Sequence, residues 1–558
     1  MAPSLIMFVS GLPSGSTREK ELHLADIKSH AARVSYRRPK SHVAITARKR
    51  GPATRKRPQP SSVSKNNLSA QVQSARGEND CSAAASSMNQ PGPLSILQKG
   101  NSDPFHTWAV KLTPRANHIL AFIRDVFLPS NYRANSRAWV HSIAMKDEWA
   151  GGLLTLQSEC CAQGYLLTFL SCIAKISPQS AYLTDHLVLK GKTTGALRRQ
   201  IAKRRDNDVE TINCALLLFG AEVFSLNHRE ATIHGKMLQS LLQQTAQREG
   251  GPASVDQGLM TRFLWNDAQL AQSLFKRTII DMKWATEMLS PTFELLDDAI
   301  DDATPGLMAN LDDSIASQPM RTYFIQFRQA IWLWLSPKKP LKGTDGVNIA
   351  HWLLGRIYLN SGQLLNQYLD LRDFRNSHKH KESIAGGRGR RTAEVSWATQ
   401  CCLILGLLLA VGLSEGDCQI QGVSVFPAQK MVLAHLRGVM DVILGSSLLG
   451  YDGFNTSRDG RLLPAGVSQN VCLWVLFLGA AQARRQFKVV LAPSRAWFDR
   501  NFRLVAGRMG LSSWSVIRSR LTRFVYFDEM ECAGSEWVPT CLGENNCGVD
   551  IAQTFDPI

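Results

Sequence analysis

Apolar residues return every three or four positions along most of the chain after residue 113, the spacing of one buried helical face. Thr113-Pro114 supplies an N-cap with Pro at the first helical position, and Ile119, Phe122, Ile123, Val126 and Phe127 follow on one side. The pattern predicts one long buried helix over Leu153 to Ile176. Further helices are expected over Leu187 to Arg205, Asp208 to Phe224, Arg229 to Gln247, Val255 to Leu274, Met320 to Leu335 and Ile349 to Phe374. Ala393 to Leu413, Pro427 to Leu448 and Val467 to Gln486 continue the series, and Ser494 to Tyr526 does so with a break at Gly510. Strand-like alternation is confined to Gln419 to Phe426. Long loops are expected at Asp297 to Pro319, Ser336 to Val347, His378 to Arg391 and Gly450 to Gly466. The expectation is an all-α fold, and no fixed-period repeat marks a solenoid.

The first hundred residues have a different pattern. Ser16 and Glu19 stand at capping-box spacing, and Leu24, Ile27, Ala31 and Val34 share a face, so Thr17 to Arg38 predicts one short amphipathic helix closed by Pro39. Residues 41–102 are rich in Ser, Asn, Gln, Pro and Gly without apolar periodicity, which reads as a disordered linker. Four segments are therefore expected: a head over 1–40, the linker over 41–102, a helical domain over 103–545 and a tail over 546–558.

Charge separates these segments further. Residues 1–60 carry thirteen Lys and Arg against three Asp and Glu, a balance of +10 out of +18 for all 558 residues. Arg33, Arg37, Arg38 and Lys40 lead into two tribasic clusters, Arg48-Lys49-Arg50 and Arg55-Lys56-Arg57. Such a pair fits a bipartite nuclear-import signal, and an unfolded basic arm gains affinity for nucleic acid by releasing counterions. Most of the twelve cysteines sit in apolar runs, as reduced buried thiols do. The longest apolar run, Cys401 to Leu413, is too short for a usual membrane span. Leu5 to Val9 lacks the flanks of a signal peptide, so an intracellular soluble protein is expected.

The candidate chemical motifs are sparse. A binuclear zinc cluster needs six closely spaced cysteines, and the first 159 residues contain Cys81 alone. Cys532, Cys541 and Cys547 have no histidine partners in the tail. Asp297 and Asp301 match the DDxxD pattern of class I terpenoid enzymes, which hold magnesium against a diphosphate. The surrounding acids and Pro305-Gly306 read instead as a solvated acidic loop, and Leu295 to Ile315 interleaves Leu, Ile and Met with acids as activation segments do. Gly412-Leu413-Ser414-Glu415-Gly416 is a literal G-x-S-x-G, but it follows a helical run and reads as a helix end. His378 to Lys381 and Arg388 to Arg391 read as a solvated basic loop. No catalytic, cofactor or metal-ligand set is expected.

A series of short motifs follows one another along the chain: Phe8-Val9-Ser10, Ile27-Lys28-Ser29-His30 with Arg33, Arg37 and Arg38, Asp103-Pro104-Phe105, Ala196-Leu197-Arg198, His234-Gly235 to Leu242 with Gly250-Gly251, and Trp265-Asn266-Asp267, with a looser stretch over Trp514 to Tyr526. In this order they resemble fungal proteins that carry the fungal-specific transcription factor domain but lack its zinc cluster. Ser10, Lys28 and Ala31 depart from that family's commonest residues. The resemblance implies an all-α regulatory domain and a non-enzymatic nuclear role in transcription, with metabolic or secondary-metabolite genes as targets. The expected partners are nucleic acid at the basic head and protein partners or a second copy at the helical domain, with no membrane. The alternatives are a nuclear interaction protein that does not bind DNA, and a class I terpenoid enzyme.

Overall fold

Thr113 caps the first described helix as its sequence requires, its hydroxyl accepting from the Ala116 N–H at 3.1 Å. The structure, a computed structural model, describes residues 108–542 except 133–137, 204–207, 338, 340, 342, 380–387, 416–418, 421–422, 449–467 and 487–492. The basic residues Arg33, Arg37, Arg38, Lys40, Arg48, Lys49, Arg50, Arg55, Lys56 and Arg57 therefore lie outside the described residues, as do the expected Thr17 to Arg38 helix, the linker and the tail from 543.

The described residues are all-α apart from one two-stranded hairpin, and belong to a unit that starts at Asp103. Helix α1 (Pro114–Phe122) passes through a π-helical turn (Ile123–Phe127) into α2 (Leu128–Asn131). Then come α3 (Trp139–Thr155), α4 (Glu159–Ile176), α5 (Ser180–Ala202), α6 (Val209–Phe224), α7 (His228–Glu249) and α8 (Gln257–Leu274). Next are α9 (Met282–Ala303), the short α10 (Pro305–Met308), α11 (Gln318–Leu335), α12 (Gly346–Lys379) and α13 (Arg388–Glu415). Strands β1 (Gln419–Ile420) and β2 (Val423–Ser424) pair antiparallel inside the stretch expected to be extended. The C-terminal part is α14 (Ala428–Leu448), α15 (Gln469–Gln486), α16 (Pro493–Arg508), α17 (Trp514–Leu521) and α18 (Asp528–Leu542).

Helices α4 to α7 pack as consecutive neighbours. Helix α8 then bridges α6 to α12 and α14, and α13 packs on α12, α14 and α15. The centre of this arrangement follows from composition. Along α13 every side chain from Cys401 to Leu413 except Gly406 and Gly412 is an apolar residue, and all are buried. A helix apolar on every face has to be surrounded. Ser396–Glu415 is long and apolar enough to cross a membrane, but its most apolar 18-residue stretch is 78% buried against other helices. Cys160, Cys161, Cys172, Cys214, Cys401, Cys402 and Cys472 are free and buried, as their apolar settings predict.

The structure corrects several expectations. The apolar run Leu153 to Ile176 is broken at Leu156–Ser158. There the Thr155 hydroxyl turns back to the Gly152 carbonyl, and the Leu156 carbonyl accepts from the Ala109 N–H. Asp297 to Pro319 is not an open loop, because α9 continues to Ala303. Leu295 to Ile315 is not an exposed activation segment: Leu296, Ile300, Leu311 and Ile315 are buried. Finally, α3, α9 and α18 form where no helix was expected. Both α9 and α18 have an internal proline, Pro291 and Pro539, and in α9 the Ser290 hydroxyl donates to the Glu287 carbonyl that Pro291 leaves without its helical donor.

Candidate functional site

The helical crossings leave a cavity of about 140 Å³, walled by residues from the π-helical turn and from α2, α3, α4, α6, α8, α11, α12, α13 and α14. One side is aromatic. Phe127, Phe169 and Phe224 meet edge to face or tilted, with ring centroids 4.9 to 6.1 Å apart. Phe224 stacks on Phe426 at 5.2 Å, and Trp265 stands edge-on to Phe426 at 5.6 Å. Phe426 is held in place by its neighbours: the Ser424 hydroxyl donates to the Phe426 carbonyl, and Lys175 Nζ donates to the Val425 carbonyl at 2.5 Å. Burial lowers the Lys175 pKa to about 8.

The other side is polar. Tyr132, Glu148, Tyr165, Arg262, Tyr358 and Glu415 all line it. Arg262 and Glu148 form a long ion pair at 4.0 Å, both partly open to solvent. Burial, with the Glu148 charge second, pushes the phenols of Tyr132 and Tyr165 upward, so both stay protonated. Tyr358 is shifted the same way by burial and is bonded to the Glu415 carboxylate.

Among the buried side chains that line the cavity, the Tyr165 hydroxyl, Asn266 Oδ1 and Gln429 Oε1 have no hydrogen-bond partner, and neither has Trp334 Nε1. Tyr165 is 3%, Asn266 7% and Gln429 8% exposed. Buried polar atoms gathered on one cavity wall are groups that a ligand or ordered water can satisfy. The Asn266 amide is oriented by its nitrogen, which donates to the Arg262 carbonyl at 2.9 Å. Each of the three lies against a glycine. Tyr165 reaches over Gly152, Asn266 over Gly220 and Gln429 over Gly412, and a Cβ at Gly152 or Gly412 would overlap the polar tip. All six residues line the cavity.

The motifs singled out in the sequence divide around this site. Trp265 and Asn266 line it, whereas Asp267 is buried beside it and accepts from the Ile279 and Ile280 N–H groups at 2.9 and 3.0 Å. Burial raises the Asp267 pKa to about 7 against these two bonds. Gly412 and Glu415 of the G-x-S-x-G also line the cavity, but Ser414 is fully buried and donates to the Val411 carbonyl within α13, so it forms no nucleophile elbow. Asp297 and Asp301 are elsewhere and face different neighbours. Asp297 accepts from Trp352 Nε1 at 2.7 Å and Arg356 at 2.6 Å on α12, while Asp301 accepts from Gln329 on α11. Ala196 and Leu197 are buried in a satellite core with Cys160 and Cys214, and Gly250 closes α7 in the left-handed region. The loop expected over His378 to Arg391 is helical at both ends, where α12 runs to Lys379 and α13 starts at Arg388, while the side chains of 378–395 lie outside those described.

Among the described residues one further cluster has ligand geometry: Glu222, Glu230 and His234 bring their donor atoms within 4.8 Å of one another. Lys190 Nζ stands 2.6 Å from Glu222, and Asn227 donates to its other oxygen at 2.9 Å, so this carboxylate is already neutralised from within.

The cavity was invisible to motif reading because its polar groups come from helices far apart in sequence. The usable signal was Tyr165, Asn213 and Gln429 set within or beside apolar runs, together with small residues at Gly152, Gly220 and Gly412. Comparison of the chain with protein-family models, with curated proteins and with solved structures found no match.

Proposed function

We propose that this chain is a nuclear transcriptional regulator of fungal type without a zinc cluster, in which a basic head contacts nucleic acid or the import machinery and the helical unit serves as its regulatory part. The observation that carries this reading is the segregation of charge: +10 within residues 1–60, ahead of a helical unit that begins at Asp103. Charge gathered this way acts on partners, not on the fold. A helical unit that encloses a cavity with unpaired polar groups suits a domain that responds to a small effector. Metabolic or secondary-metabolite genes are the targets this reading assigns, by resemblance.

The test has two parts. A tagged full-length chain should concentrate in nuclei, and combining Arg48→Ala, Lys49→Ala, Arg55→Ala and Lys56→Ala should disperse it. Unchanged nuclear accumulation removes the import role. Genome-wide occupancy with expression profiling after deletion should then show the chain at the genes whose expression changes. Changed expression without occupancy would favour the nuclear interaction protein.

A further inference from the structure

We propose that the central cavity is a binding site for a planar, uncharged, hydroxylated aromatic molecule. The claim rests on the cavity alone, so it stands or falls independently of the transcriptional reading. Each part of this description comes from one wall. Flatness follows from Phe169, Phe224, Trp265 and Phe426, whose rings meet tilted, stacked and edge-on, an aromatic wall of the kind that receives another ring. Hydroxylation follows from the mixed demand of the polar side. Asn266 Oδ1 and Gln429 Oε1 need donors, while the Tyr165 hydroxyl, kept protonated by burial, needs an acceptor. A hydroxyl satisfies both kinds of group, since it donates one hydrogen and accepts at its oxygen. An ether accepts only, and a carboxylate accepts only.

Absence of net charge follows from the ionic groups. Arg262, the cationic side chain at this wall, already faces Glu148, and Glu415 holds the Tyr358 hydroxyl. An anion would therefore meet two carboxylates and two amide oxygens, which opposes binding. The glycines complete the argument. Gly152, Gly220 and Gly412 each omit a side chain where a polar tip enters, so the polar groups are brought to the wall and space is left before them.

The full-length chain is titrated by isothermal calorimetry with a naphthalenediol, its dimethyl ether and a naphthoate. The diol is expected to saturate a single site per chain, with the diether and the naphthoate each at least about tenfold weaker, because neither can donate to the two amide oxygens. Asn266→Leu and Gln429→Leu should each weaken the diol about tenfold while leaving the diether unchanged. Absence of saturable diol binding overturns the proposal, as does equal affinity for diol and diether. Preference for the naphthoate also overturns it, and would make Arg262 the anchor. The comparison among the three probes is made on the unaltered chain, so it decides the matter even where a variant fails to fold.

Discussion

Single residues carry much of the energetic risk in this fold. Arg328 is 8% exposed, and its guanidinium donates to the carbonyls of Leu307, Ala309, Thr522 and Phe524 at 2.7 to 3.1 Å. Those carbonyls end α10 and follow α17, where unpaired acceptors and the negative pole of a helix favour a cation. Burial lowers its pKa to about 10, yet the charge is kept by these four bonds. Arg328→Ala should reduce the unfolding free energy in urea by roughly 3 kcal/mol, since four buried acceptors lose their donor. Arg328→Lys should recover only part of it, because an ammonium does not present the same planar fork. His435 sets an acid limit. Its ring stacks on Phe275 at 3.5 Å and meets the Tyr368 hydroxyl at 3.2 Å, and burial, with Arg372 second, lowers its pKa to about 4. A folded-state pKa below 6.5 means the stabilisation is complete above that pH and is lost as pH falls through 4. His118, His186, His234 and His351 are shifted in the same direction by burial. Denaturation between pH 7 and pH 4 should therefore show falling stability, and His435→Gln should make that fall shallower.

At the scale of elements, the clearest lesson is α9. Its sequence reads as an acidic loop because Asp297, Asp298, Asp301 and Asp302 crowd together and Pro305-Gly306 follows them. Tertiary contacts decide otherwise. Asp297 bonds to Trp352 and Arg356 on α12, and the Arg356 guanidinium lies 3.6 Å from the Phe293 ring centroid, clamping the two helices together. Asp297→Ala should cost about 2 kcal/mol in thermal or urea unfolding, because it strands a partly buried guanidinium and an indole N–H. Magnesium should leave the melting temperature of the unaltered chain in place, and a clear rise would restore the metal reading of this motif. Elsewhere the apolar spacing was sufficient. The helices over Asp208 to Phe224 and Met320 to Leu335 appear within two residues of their expected limits, because every third or fourth side chain had a core to enter. The break at Leu156–Ser158 could not be read in this way. Both flanks are apolar, and the turn is set by hydrogen bonds to Gly152 and Ala109.

For the whole molecule, class was legible and site was not. A chain with helical periodicity along most of its length after residue 113, and an α13 that is apolar on every face from Cys401 to Leu413, has few choices but a layered helical unit. The cavity depends instead on how nine helices converge, and no local pattern encodes a convergence. Charge is a whole-molecule property too, with +10 of the +18 in the first sixty residues. If the head contacts duplex DNA, log affinity should fall linearly with log salt, and replacing Arg48, Lys49, Arg55 and Lys56 by Ala should flatten that slope by up to about 3.6, roughly 0.9 per lost phosphate contact. Filter binding at several salt concentrations measures this, and an unaltered slope would place the contacts elsewhere. The three glycines of the cavity have a consequence for how such a chamber diversifies. At Gly220 an added methyl would stand 3.3 Å from Thr168 and 3.4 Å from Asn266, close enough to be absorbed by small shifts. Gly220→Ala would then be a plug built from one carbon, leaving the helices in place while shrinking the chamber. Chains of this fold could thus change which molecules they admit by gaining or losing single methyl groups, at positions where alteration costs the framework least.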